Sequence, residues 1–128
     1  MGMGDFDRVA PAKRLKLNSG METPRMLAVI YRWRVAPGKE QQFQVAWEFV
    51  TREFLANAGS LGSRLHRSSD GMWVAYAQWP DRDSWERATA SSDEGRLALE
   101  SLSSVVLENF EPLLLEPVAD YIVGKEPV

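Results

Sequence analysis

Pro37-Gly38, Gly59 and Asp70-Gly71 divide residues 27–88 into stretches with different apolar periods, and that division limits the possible folds more than any other feature. In LAVIYRWRV (27–35), Leu27, Val29, Tyr31, Trp33 and Val35 recur at period two, with Ala28, Ile30, Arg32 and Arg34 on the other side. Both sides are apolar near the start, which predicts a central strand that Pro37-Gly38 stops. From 39 to 57, Phe43, Ala46, Trp47, Val50 and Phe54 recur at helical spacing, opposite Glu40, Gln41, Gln44, Glu48 and Arg52. Gly59 is well placed to cap this helix.

Asp70-Gly71 lies between two alternating runs and predicts a hairpin closed by a two-residue type I′ turn, pairing Ser69 with Met72. In that register His66 faces Ala75 and Arg64 faces Ala77. One face then holds Arg64, His66, Trp73, Ala75, Ala77 and Trp79, and the other Leu65, Arg67, Val74, Tyr76 and Gln78. Asp81 is a cap for a second helix through residue 90 that buries Trp85 and Ala88. Ser91 with Glu94 forms a capping-box pattern, from which the helix restarts toward Phe110. Glu111-Pro112 ends it, and 113–123 reads as the last strand, with Pro117 marking an edge or a bulge.

The resulting order, β-α-β-β-α-β, specifies an α+β, ferredoxin-like split β-α-β sandwich with both helices on one face of an antiparallel sheet. Nothing in the chain covers the opposite face. Because several strands are apolar on both sides, a second copy is expected there, giving a two-fold homodimer.

Of the 128 residues, 26–123 form the expected domain and 124–128 a loose tail. Residues 1–25 read as a flexible basic leader, either of cloning origin or upstream of a start at Met21 or Met26. Its segment PAKRLKL resembles short basic nuclear-import signals, a pattern that chance also produces easily. The rest of the chain carries the acidic excess behind the net charge of −3, so no nucleic-acid partner is expected. No apolar run reaches the roughly 20 residues of a membrane span. A soluble, cytoplasmic protein without a membrane partner is the expectation. With no cysteine and a single histidine, thiolate chemistry is excluded and a metal site would have to be almost all carboxylate. Nucleotide-loop, nucleophile-elbow and zinc-protease motifs are missing as well.

VIYRWRVAPGKEQQF, the AW-bearing helix, GSLGSRLHRSSDGMWVAYAQWP and DRDSWERA together resemble the antibiotic biosynthesis monooxygenase family of dimeric α/β-barrel proteins. The resemblance covers about 26–90 well and the last strand loosely. It implies the dimeric α/β barrel, and it admits oxygenases that turn phenolic or anthrone-like polyketides into quinones without a cofactor, haem-degrading enzymes, and proteins of other roles. The haem-degrading branch uses an Asn in the first strand, a Trp in the second helix and a haem-ligating His beyond it. The corresponding positions here are Tyr31, Ala88 and Ala98, so that branch is disfavoured.

The implied function is a cofactor-independent monooxygenase that oxidises a small aromatic or polyketide-like substrate with dioxygen; the alternative is a non-catalytic ligand-binding or stress-related dimer of the same fold. Once deprotonated, an electron-rich phenol can itself reduce dioxygen, so the protein supplies a base, stabilisation of the anion and a dry pocket. His66 is the candidate base, its ordinary pKa lying near neutrality, and Arg64 the candidate oxyanion partner. Trp73, Tyr76, Trp79, Tyr31 and Trp47 are candidate aromatic walls for the ligand. For each, the competing role is structural: a solvated histidine, a surface or dimer-contact arginine, or core and interface packing.

Overall fold

Alternation at period two with apolar residues on both sides places β1 (Leu27–Val35) in the middle of the sheet. The structure, a computed structural model, describes residues 26–89 and 92–123; the expected leader, the tail and Ser91 lie outside them. After Pro37-Gly38 the chain enters α1 (Glu40–Asn57), which buries Phe43, Ala46 and Val50. At its end the Phe54 carbonyl accepts from the amides of Ala58 (3.0 Å) and Ser60 (3.3 Å), and Gly59 turns the chain in the left-handed region at φ 85°.

β2 (Gly62–Arg67) and β3 (Trp73–Trp79) form the expected hairpin, one residue out of the expected register. Arg67 faces Trp73, His66 faces Val74, Leu65 faces Ala75 and Arg64 faces Tyr76. The cause is the loop, which has three residues instead of two. The Ser68 carbonyl accepts from Gly71 N (2.9 Å), Ser68 N donates to the Met72 carbonyl (2.8 Å), and Gly71 takes the left-handed conformation at φ 90°. Asp70 fixes this loop by accepting from the Ser68 hydroxyl (2.5 Å) and the Met72 amide (3.1 Å). A shift of one residue turns every β2 side chain over. Arg64 and His66 therefore leave the face of Trp73, Ala75 and Ala77 and join Val74, Tyr76 and Gln78, while Ser63, Leu65 and Arg67 take their places.

Asp81 caps α2 (Arg82–Arg87) as expected, accepting from Ser84 N at 2.7 Å, but the helix ends short of residue 90. The cap of α3 (Asp93–Ser104) is Ser92, whose hydroxyl accepts from Gly95 N at 2.9 Å. The helix expected to reach Phe110 stops at Ser104. Val105 and Val106 are β-branched, and the Val105 carbonyl accepts from Ala36 N at 2.8 Å, drawing the chain onto β1. β4 (Val106–Asn109) pairs with the C-terminal half of β1. Pro112 has no amide for the ladder, and β5 (Leu113–Leu115) resumes on the N-terminal half. The expected strand over 113–123 thus stops at Leu115. Its partner there is Ala28, next to the first residue of β1, so no ladder remains for residues 116–123.

The order β2-β3-β1-β4, with β5 beside β4 along β1, is all antiparallel and is the ferredoxin-like arrangement, its fourth place filled by two short strands. One face is covered. Phe43 of α1 sits between Trp33 (5.2 Å between ring centroids) and Trp73 (5.4 Å), with Leu102 and Val105 in the same cluster. Val29, Ala77, Trp79 and Trp85 form a second cluster joined by Phe54. Each fully buried large apolar side chain contributes about 1.5–3 kcal/mol, so this helix-side aromatic layer is the main source of stability. The other face carries Ile30, Arg32, Val74, Tyr76, Arg64, His66, Leu113 and Leu115 by register, and no described helix packs on it.

Candidate functional site

A cleft opens between α1 and the covered sheet face. Period two sends Tyr31 and Trp33 from β1, and Ala77 and Trp79 from β3, toward the helix. Helical spacing brings Trp47, Val50, Thr51 and Phe54 down over them. Ser60, Ser63 and Leu102 complete the wall. The free volume is about 30 Å³, enough for water but well under the roughly 150 Å³ of a cavity that holds benzene. No charged side chain lines it.

Its polar end is built from three aromatic residues. The indole Nε1–H of Trp85, on α2, donates to the Tyr31 hydroxyl at 2.9 Å. Burial pushes the Tyr31 phenol up to about 12, although the N–H groups of Trp85 and Trp79 both favour its anion. Tyr31 therefore keeps its proton at any physiological pH. Trp79 is 2% exposed, with its ring edge-on to Phe54 at 5.9 Å, and its Nε1 is buried without a hydrogen bond of good geometry. With only the poorly aligned Tyr31 hydroxyl beside it, this N–H would gain from a better-placed acceptor entering the cleft.

Of the residues singled out from sequence, the cleft brings together Tyr31, Trp47 and Trp79. Trp73 packs against Phe43 in the adjoining cluster and is shielded by Arg67, whose guanidinium lies 5.0 Å from the ring. Tyr76, Arg64 and His66 lie on the opposite sheet face. Tyr76 accepts from Gln78 Nε2 at 3.2 Å. His66 is exposed, with Nδ1 3.2 Å from the Val74 carbonyl; a carbonyl only accepts, so Nδ1 carries the proton. Sequence reasoning missed Thr51, Ser60 and Ser63. Thr51 lies one turn beyond Trp47 on the same helix face, a signal available in the sequence, whereas Ser63 appears only once the hairpin register is known.

Among the described residues, no three His, Asp or Glu side chains are grouped as a metal site, and no helix is long and apolar enough to cross a membrane.

Fold and cleft together define a ferredoxin-like α+β protein with an aromatic, uncharged cavity between sheet and helix. Residues 26–95 match the antibiotic biosynthesis monooxygenase family, and the chain belongs to it. Among solved structures, it is similar to SnoaB, a cofactor-independent oxygenase from Streptomyces nogalater, with 19% identity over 79% of this chain and 99% of that one, TM-score 0.61. A conserved protein from Methanosarcina mazei Go1 is 18% identical over 73% of this chain and 93% of its own, TM-score 0.62. Rv0793 from Mycobacterium tuberculosis is 17% identical over 74% and 97%, TM-score 0.61. At these identities the likeness shows the fold. No curated protein matches the chain.

Proposed function

We propose that this chain is a cofactor-independent monooxygenase whose substrate, a small electron-rich phenol or polyketide-like aromatic, occupies the cleft between α1 and the sheet. The observation that carries this reading is an aromatic wall free of charged groups, in which the buried Nε1–H of Trp79 makes no hydrogen bond of good geometry. Family membership and the shared fold of the cofactor-independent oxygenase SnoaB support it.

The chemistry asks little of the protein. A phenolic substrate loses its proton and passes electrons to dioxygen; an activated CH₂ becomes C=O, with one oxygen atom retained and the other leaving as water. Trp79 Nε1–H donates to the substrate oxygen and gains strength as that oxygen becomes anionic, which lowers the substrate's own pKa. Tyr31, protonated and fixed by Trp85, positions the ring edge. The aromatic walls keep water from the oxygenated intermediate. In this reading the proton leaves to water at the cleft mouth, and His66 and Arg64, across the sheet, belong to the face where a second copy packs. Incubating metal-free protein with dihydroxyanthrone-type substrates under oxygen tests it: quinone formation above background is expected, and none across a broad panel would overturn it.

The 30 Å³ volume favours a second reading. A ring enters only if the lining side chains move apart; a cleft that stays closed to every aromatic probe would mark a non-catalytic dimer.

A further inference from the structure

The cleft has a second polar side that the proposed reaction leaves unused. Its floor includes Ala77 on β3, whose register partners are Val29 on β1 and Ser63 on β2. Tyr31, two residues along β1 from Val29, borders the cleft on one side of β3, and Ser63 borders it on the other. Two strand spacings, roughly 10 Å, separate them across the sheet, the scale of one aromatic ring with a hydrogen bond at each end. Both positions are held by the strand ladders, so their spacing persists when the cleft opens. On α1, Gln42 and Glu53 hold α3, and helical spacing puts Thr51 on the other side of the helix, where α1 packs beside β2. Ser60 is engaged in its turn, accepting from Gly62 N at 3.0 Å. No such bond holds the Thr51 or Ser63 hydroxyl among the described residues.

We propose that Ser63 and Thr51 form a second recognition pole, which reads an uncharged oxygen on the side of the ring opposite the oxygen held at Trp79. A hydroxyl both donates and accepts, so this pole suits a carbonyl or a hydroxyl equally. A carboxylate there would lose its water with no charged side chain in the lining to offset it. The substrate class is thereby narrowed to neutral aromatics oxygenated at both ends. The inference rests on the cleft proposed above as the substrate site.

The test measures binding without turnover. Ligand-observed NMR titrations under argon give the Kd of hydroquinone, phenol and para-hydroxybenzoate for the wild type, for Ser63→Ala combined with Thr51→Val, for each single substitution, and for Thr51→Ser. The wild type is expected to bind hydroquinone at least fivefold more tightly than phenol, and para-hydroxybenzoate more weakly than either. The double variant should bind both neutral rings within about twofold of each other with its phenol affinity kept, each single variant should lose part of the preference, and Thr51→Ser should retain it. Circular-dichroism melts check folding, and the single variants carry the test if the double variant does not fold. A wild type that binds none of the rings overturns the cleft as a ligand site and this pole with it. A wild type that binds the rings without preference, binds the carboxylate as tightly as hydroquinone, or keeps its preference in the folded variants overturns the pole alone.

Discussion

Trp85 Nε1–H donates to the Tyr31 hydroxyl at 2.9 Å, tying the short α2 helix to the central strand at the polar end of the cleft. Tyr31→Phe leaves that indole N–H buried without an acceptor and is expected to cost about 1–3 kcal/mol. Trp85→Phe removes the donor along with part of the ring. In urea unfolding, the two substitutions together should cost less than their sum, because the same bond is lost once.

The Tyr31 phenol also sets an alkaline limit. Its folded pKa of about 12 lies above the usual 10, so between those values the unfolded chain loses a proton that the folded chain keeps. Stability is therefore fully present below pH 10 and falls as pH rises toward 12, by on the order of 2–3 kcal/mol. Comparison with Tyr31→Phe isolates the effect: the variant's stability should lack this part of the decline.

The hairpin loop depends on one glycine. Gly71 sits at φ 90° with open space where a Cβ would go, so Gly71→Ala meets only the backbone penalty of about 1 kcal/mol. Gly71→Asn should recover part of it, since Asn tolerates this region. Asp70 is held below its ordinary carboxylate range by the Ser68 hydroxyl and the Met72 amide. Its contribution is thus present above pH 3.8 and lost only as pH falls through the lowered value, which a pH titration followed by NMR at Asp70 would show.

Ser92 serves two elements at once. Its hydroxyl caps α3 through Gly95 N and also donates to the Glu53 carboxylate on α1 at 2.7 Å. Ser92→Ala removes both and is expected to lower stability by about 1–2 kcal/mol in urea unfolding. Gly95 is buried where a Cβ would fall 2.0 Å from Glu53 Oε1, so Gly95→Ala should displace the same carboxylate and be less than additive with Ser92→Ala.

Much of the fold was legible because local rules and global topology agree. Alternation from Leu27 to Val35, the apolar spacing from Phe43 to Phe54 and the Asp81 cap each signal the element that forms. The hairpin register was not legible. Asp70-Gly71 suits both a two-residue turn and a three-residue loop, and the choice is made by hydrogen bonds from Ser68 and Met72 that no periodicity reveals. That single residue moved Arg64 and His66 from one side of the sheet to the other, separating them from Trp79. The chain end misled for a different reason: Val105-Val106 continue an apolar helical pattern, but β1 offers them an unpaired edge. Tyr31, Trp47 and Trp79 could be named from sequence as aromatic walls; that the Trp79 N–H is buried there without a hydrogen bond of good geometry depends on packing alone.

The most direct test compares the two sides of the sheet. Quinone formation under oxygen is measured for the wild type, Trp79→Phe and His66→Ala, with dihydroxyanthrone-type substrates across pH 5–9. The expected result is that Trp79→Phe, which keeps an aromatic ring and removes the N–H, loses at least tenfold in kcat/KM, while His66→Ala stays within about twofold and the profile shows no inflection near the ordinary histidine pKa of about 6.5. A large loss in His66→Ala with such an inflection, and little loss in Trp79→Phe, would contradict it and place the chemistry on the open face.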